Sequence, residues 1–414
     1  SLNVALSNSY ALCNINSNGN YVGGLFGSIS HGKSSASDCY FSGSIYGKEY
    51  VGGLAGQTKS LSIVTSYSNA LSINGESHVG GIVGFVGDGS SIKSCISANE
   101  KVNAITEAVG RVYGSIESGA TIGTMNTTEE NKGLATMVVN LNGVQQLLED
   151  GPQHGTNVGR STLKIKSTYQ GLGWDFTNYW TNQETESYPS KQTQTAPPVL
   201  TSKASSGATE ITGKSVNGGV VYVLVGDKSY TAQVTNNTWS VNVDPLTSGE
   251  IVTVYAKAAD LEESYRVYQT VGFKGTGTES DPYQIYTAQE LANVNGTGYY
   301  MLMNDIDLTE WINKNSPSKG WIPLGRNGNV MSNLLGNNKT ISGLWCNTDE
   351  DYTALIALAE SISIKDLTIE IAEGKNIKGG NYTAVIIGKA SDCVMDNCHV
   401  VGSVIGKDYL GGFA

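Results

Sequence analysis

The sequence predicts an all-β chain: stretches of stacked solenoid rungs, with a small β-sandwich between them. Three observations predict this. The phrase YVGGLFG at 21–27 returns as YVGGLAG at 50–56 and HVGGIVG at 78–84, with a weaker copy, AVGRVYG, at 108–114. The units between copies are rich in Ser, Gly, Val, Ile and Tyr, and Ser-Gly-Asn clusters punctuate short apolar alternations, as in short strands joined by turns. No unit places apolar residues at i, i+3, i+4 and i+7, as an amphipathic helix would.

The first element is the repeat over 1–125. The valines Val22, Val51, Val79 and Val109 are spaced by 29, 28 and 30 residues. A period of about 29 suits one rung of short strands and turns, with neighbouring rungs pairing at about 4.8 Å. Val22, Val51 and Val79 are expected in the core. The pairs Gly23-Gly24, Gly52-Gly53 and Gly80-Gly81 are expected where neighbouring backbones leave no room for a Cβ. Aligned on those valines, Tyr10, Cys39, Tyr67 and Cys95 form a column. Cys39 and Cys95 then lie two rungs apart, about 9.6 Å, beyond disulfide reach, and are expected as buried free thiols.

The recurring VGGLxG resembles the GLUG motif, found in tandem in large bacterial surface proteins. The resemblance implies a right-handed parallel β-helix, or a closely related β-solenoid, over 1–125 and again near the C-terminus. It also implies an extracellular location on a bacterial cell surface, with signal and anchor outside this stretch of chain.

Residues 126–196 read as a cap and linker. ATMVVNLNGVQQLLEDG, 135–151, is expected as a short helix ending at Gly151. Trp174, Phe176 and Trp180 cluster in a GWDF…W…YP segment like those that close GLUG regions. Such a cluster covers a solenoid end; its rival role is a carbohydrate platform made by Trp174 and Trp180. SKQTQTAPP, 190–198, reads as a polar linker.

From 197 to 273 the pattern alternates with period two, which suggests a small sandwich. Inward candidates are Val221, Val223, Val225; Tyr230, Ala232, Val234; Trp239, Val241, Val243; and Val252, Val254, Ala256. The NGTWSV-like strand at 237–241 resembles bacterial Ig-like domains, which implies an Ig-like sandwich serving as a spacer.

Residues 274–345 look like the N-terminal cap of a second GLUG region, with a capping box Thr287-x-x-Glu290 opening a short helix. Relatives carry Asp-Gly where this chain has Leu335-Gly336, so a changed turn is expected there. Residues 346–414 form a truncated second solenoid: YTALIAL and YTAVIIG are degenerate copies, and DYLGGFA carries Gly411 and Gly412. The chain is therefore expected to be a window from a longer one, with open solenoid edges that favour head-to-tail self-association.

Composition narrows function. The net charge of −11 disfavours nucleic acid and anionic membranes as main partners. No run of 18 apolar residues predicts a membrane span, and the opening SLNVALSNSY lacks the basic and apolar regions of a signal peptide. Six scattered cysteines without CxxC are no disulfide scaffold or zinc ribbon. Cys393 and Cys398 lie close in sequence with His399 beside them; a metal site there is the lesser reading, and the cysteines are expected as small buried apolar residues.

Enzymatic β-helices gather carboxylates on one face. The column Ser9, Asp38, Ser66, Ser94 holds no acidic stack. Asp305 and Asp307 share a strand face and are weak candidates for Ca²⁺ or acid chemistry, without an evident third ligand. IgA-specific zinc metalloproteases also carry GLUG repeats, but His31, His78, His154 and His399 make no HExxH. GTGTES lacks the Lys of a phosphate loop. No enzyme activity, metal or cofactor is expected. The leading expectation is a rigid stalk or adhesin contacting glycans or host or bacterial surface proteins. The alternatives are a polysaccharide-active enzyme and a filament subunit.

Overall fold

A computed structural model describes residues 3–30, 32–183, 185–294, 296–326 and 330–414, the side chain of Met331 excepted. His31 lies outside the described residues. The chain is an all-β β-solenoid with short helices at α1 (Lys166–Gln170), α2 (Ala288–Ala292) and α3 (Thr309–Asn315). It divides into two compact units. One holds Ser1–Thr201, Thr212–Val241 and Thr253–Tyr268; the other holds Ser202–Ile211, Asn242–Val252 and Gln269–Ala414.

In the first unit, parallel ladders run from rung to rung. Ala5–Ser7, Ser34–Ser37, Leu61–Val64, Ser91–Lys93 and Thr121–Ile122 form one sheet. Phe26–Ile29, Ala55–Thr58, Val83–Val86 and Tyr113–Ile116 form another. The longest strands, Tyr40–Tyr46, Tyr67–Gly80 and Lys101–Gly110, lie in the third. Parallel register puts like side chains in columns. Ile15 faces Ile45, Ile45 faces Ile73, and Val102 and Val139 continue the line. Val22, Val51, Val79 and Val109 form another column, all buried.

The glycines after those valines sit where backbones nearly touch. A Cβ on Gly53 would lie 2.1 Å from the Gly81 carbonyl oxygen, and one on Gly24 2.3 Å from that of Gly53. Gly23, Gly52 and Gly80 face a carbonyl at 2.2, 2.0 and 1.9 Å. The need is for space; the left-handed corner falls one residue before the valine, at Tyr21, Tyr50, His78 and Ala108, with φ of 62°, 57°, 53° and 55°.

The tyrosine register corrects the alignment by one residue. Tyr10 pairs with Tyr40, Tyr40 with Tyr67, and Tyr67 with Ile96. Ser66, rather than Tyr67, stands between Cys39 and Cys95; the Cys39 N–H donates to its hydroxyl. Rung lengths are unequal, and shifts between Ala70 and Ser72 and between Gly75 and Ser77 absorb the difference inside the strands. An alignment anchored on the valines therefore slips here. The column that holds no acidic stack slips with it: Asp38 shares a left-handed corner with Asn8, Thr65 and Ser94. Cys39 and Cys95 are buried free thiols.

Two further expectations are corrected. Residues 135–151 form no helix. Val138–Leu141 pairs in parallel with Lys101–Gly110, then turns back on Val144–Gln145. Asn142 and Gly143, both at positive φ, make the tight turn. Free backbone on the last full rung wins over the weak helical pattern. The stretch 190–198 is not a solvated linker: Ser190, Lys191, Gln194 and Thr195 are buried. Gln194 accepts from the Tyr40 hydroxyl at 2.7 Å, and the Pro189 carbonyl accepts from that of Tyr67 at 2.6 Å. Buried tyrosine hydroxyls need partners, and Pro189 and Gln194 supply them.

Residues 199–270 make a three-stranded and a four-stranded sheet. Val220–Val225 and Lys228–Gln233 pair antiparallel. Of the inward candidates, Tyr230 and Val241 are half-buried and the others are buried.

The second unit repeats the solenoid logic. Tyr300, Leu334, Ile364 and Met395 form one column, and Ile306, Ile341, Ile369 and Val400 another. Gly336 passes the Asp366 carbonyl, its Cβ position 2.2 Å from the oxygen, and the left-handed pair Asn337-Asn338 follows inside the strand. Thr353 and Thr383 replace valine in the degenerate copies; their hydroxyls donate to Glu350 and Gly380 carbonyls. Thr287 caps α2, accepting from the Glu290 N–H. The Glu290 carboxylate reaches back to the Tyr286 N–H and also accepts from the Ser206 hydroxyl. Gly411 is at close approach, its Cβ position 1.9 Å from the Ala414 oxygen, whereas Gly412 has only an ordinary contact with Val400 at 3.7 Å.

Candidate functional site

Trp174 and Trp180 are 3% and 0% exposed, with ring centroids 4.6 Å apart. Both lie near Tyr67, at 6.0 and 5.8 Å. Trp174 donates its indole N–H to the Ser94 carbonyl and Trp180 donates to the Asp38 carboxylate. Lys191 lies over the Trp180 ring, 3.1 Å from its centroid, and donates to the Asp38 carbonyl. These indoles lock the cap onto the left-handed corner column. Neither leaves a free ring face for a ligand, so the platform role is corrected to a packing role.

Asp305 and Asp307 are each spent on backbone. Asp305 accepts from the Thr340 N–H, and Asp307 from that of Thr309. The Thr309 hydroxyl and N–H hold the Asp307 carboxyl below the usual carboxylate range. Among the described residues no group of three or more His, Cys, Asp or Glu side chains is placed to hold a metal. Cys393 and Cys398 donate to nearby carbonyls, those of Ser391 and of Ile364 and Asp396.

An aromatic ladder follows the left-handed corners. Tyr21 stacks on Tyr50 at 5.1 Å and Tyr50 on His78 at 4.7 Å. In the second unit Tyr352, Tyr382 and Tyr409 stack at 5.1 and 4.5 Å. The sequence carries the signal, since an aromatic or His precedes VGG at Tyr21, Tyr50 and His78. His78 also meets the Ser115 hydroxyl at 2.8 Å and the Glu107 carboxylate at 3.5 Å.

An open cleft of about 640 Å³ lies in the second unit. It is lined from α3, from the start of α2 and from Thr247, Gly249 and Glu250. Trp311, half-buried, lines it with Gln289, Glu310, Lys314, Asn315, Asp307 and Glu250. The indole packs against Trp321 at 4.9 Å. Its N–H donates to Gln289 at 3.0 Å; Gln289 in turn donates to Asn293, and Asn293 to the Ser248 carbonyl. This chain of bonds fixes the ring orientation. The sequence alone did not single out Trp311: α3 carries no repeat phrase, and the facing loop comes from residues about 60 positions earlier.

No protein-family model matches the chain. It is 35% identical over 119 residues to a protein of Evansella cellulosilytica described as "Putative Gly-rich membrane protein"; the match covers 25% of this chain and 14% of that protein. The chain thus spans a small part of that relative's length. A solved structure from Bacteroides ovatus, described as a "putative immunoglobulin A1 protease", aligns at 18% identity over 45% of this chain and 57% of that one, with a TM-score of 0.33. Among the described residues no helix is long and apolar enough to cross a membrane.

Proposed function

We propose that the chain is part of a GLUG-type bacterial surface protein, an extracellular stalk or adhesin whose work is mechanical and adhesive, not catalytic. In this reading the solenoid stretches are right-handed parallel β-helices with rungs of about 29 residues. Residues 197–273 are an Ig-like spacer, 126–196 close the first helix, and 274–345 open the second. The observation that carries the proposal is the in-register stacking of parallel strands and side-chain columns through each solenoid. Such ladders link each rung to the next by backbone bonds and resist local opening. Low charge with abundant Ser, Asn, Thr and Tyr fits a surface that meets glycans or proteins.

The test presents the purified chain to immobilised glycans and host and bacterial surface proteins, and assays the supernatants for products. Binding without cleavage is the expected result. Release of sugars or peptides would overturn the non-enzymatic reading.

A further inference from the structure

We infer that the Trp311 cleft is a binding site for an uncharged saccharide. The inference rests on reading the chain as an adhesive surface protein and names the place and the chemistry of one contact.

A pyranose ring offers an apolar C–H face and a rim of hydroxyls. A complementary site needs a flat, fixed aromatic surface flanked by groups that donate and accept in the ring plane. The cleft supplies both. Trp311 is half-buried, backed by Trp321 and held by Gln289 through its indole N–H, so its orientation is set before a ligand arrives. Around it stand side chains with spare hydrogen-bonding capacity. Among the described residues neither the Glu310 carboxylate nor the Lys314 ammonium has a hydrogen-bond or ion-pair partner. The volume of about 640 Å³ lies in the range of small-ligand sites.

Charge narrows the ligand. Glu250, Asp307 and Glu310 oppose the one lysine lining the cleft, Lys314. A uronic acid or sialic acid would bring its carboxylate into an excess of negative charge. Neutral hexoses and N-acetylhexosamines meet no such penalty.

The experiment titrates the whole chain calorimetrically with neutral hexose and N-acetylhexosamine oligomers and, separately, with uronic-acid oligomers. We expect saturable binding of a neutral oligomer. Trp311→Ala should weaken it about tenfold or more, and Trp311→Phe less. Glu310→Gln keeps the size of a side chain that has no partner among the described residues and should weaken binding more modestly, which guards against a Trp311→Ala variant that loses local structure. Near-ultraviolet circular dichroism checks each variant's packing. The site is overturned if no neutral oligomer binds at millimolar concentration, if only uronic acids bind, or if binding survives Trp311→Ala and Glu310→Gln unchanged. Sugar release in the same samples would overturn the non-enzymatic reading while leaving the site in place; absent binding without release would remove the site and leave the stalk.

Discussion

Gly53 and Gly412 occupy equivalent letters of the repeat phrase, yet a methyl group at the two positions meets different surroundings. At Gly53 it would sit 2.1 Å from the Gly81 oxygen and 2.3 Å from the Ser68 hydroxyl, so backbone must move. Gly53→Ala is expected to cost at least about 2 kcal/mol. Gly412→Ala meets only Val400 and should stay within about 0.5 kcal/mol of the parent. Urea midpoints of the two variants decide the matter; equal midpoints would mean the rungs lie farther apart than described.

Lys191 makes a pH prediction at the same scale. Burial is the main cause that pulls its pKa down to about 7, while an unfolded lysine titrates near 10.4. Between those values the unfolded chain holds more protons, so stability rises with pH from about 7 toward 10. The slope reaches at most about 1.4 kcal/mol per pH unit. Denaturant melts at pH 7.5 and 9 should show the rise, and Lys191→Met should flatten it. A flat parent profile would mean that Lys191 keeps its charge in the fold. Thiols separate just as cleanly. Cys13 is exposed, whereas Cys39, Cys95 and Cys346 are buried, and burial pushes the Cys95 and Cys346 thiols up to about 12. A native-state maleimide chase should modify Cys13 first and these three only after unfolding.

At the scale of the element, the informative residue is Arg111. It takes the place that Gly24, Gly53 and Gly81 hold in earlier copies. Those glycines make room for the next rung; at Arg111 the ladder is ending. Its guanidinium, fully buried, donates to the carbonyls of Gly133, Leu134 and Gly155 and to the Asn157 side chain. The departure from the phrase is therefore what closes the ladder. Arg111→Gly restores the consensus and should nevertheless destabilise by about 2–3 kcal/mol, because buried carbonyls lose their donor. Faster amide exchange over 153–158 would locate the damage; a stability gain would overturn the capping role.

For the whole molecule, two compact units imply that damage to one need not spread. Gly53→Ala should speed exchange in Tyr67–Gly80 and leave Ser363–Ile371 protected as in the parent. Uniform loss of protection in both would show a single cooperative fold.

Much of this was legible in one dimension. Repetition places Val22, Val51 and Val79 in one column and predicts the glycine contacts, because each rung presents the same local pattern and parallel stacking copies it. Strand alternation likewise marks Val221, Val223 and Val225 as buried. The capping box at Thr287 was readable since its bonds lie within a few residues. Other features depended on the packed chain. The tyrosine register slipped because bulges inside the strands, invisible to motif spacing, absorb unequal rung lengths. The 190–198 segment is held in by bonds such as those of Gln194 to Tyr40 and of Lys191 to Asp38, and nothing in its polar composition says which groove it fills. Trp174 and Trp180 read first as a cap with a platform as the rival role, and only the packed chain shows their faces covered. The Trp311 cleft unites three non-repeating segments whose meeting is set by packing. Local periodicity carries column membership; only the folded chain decides which of its non-repeating surfaces are covered and which stay open.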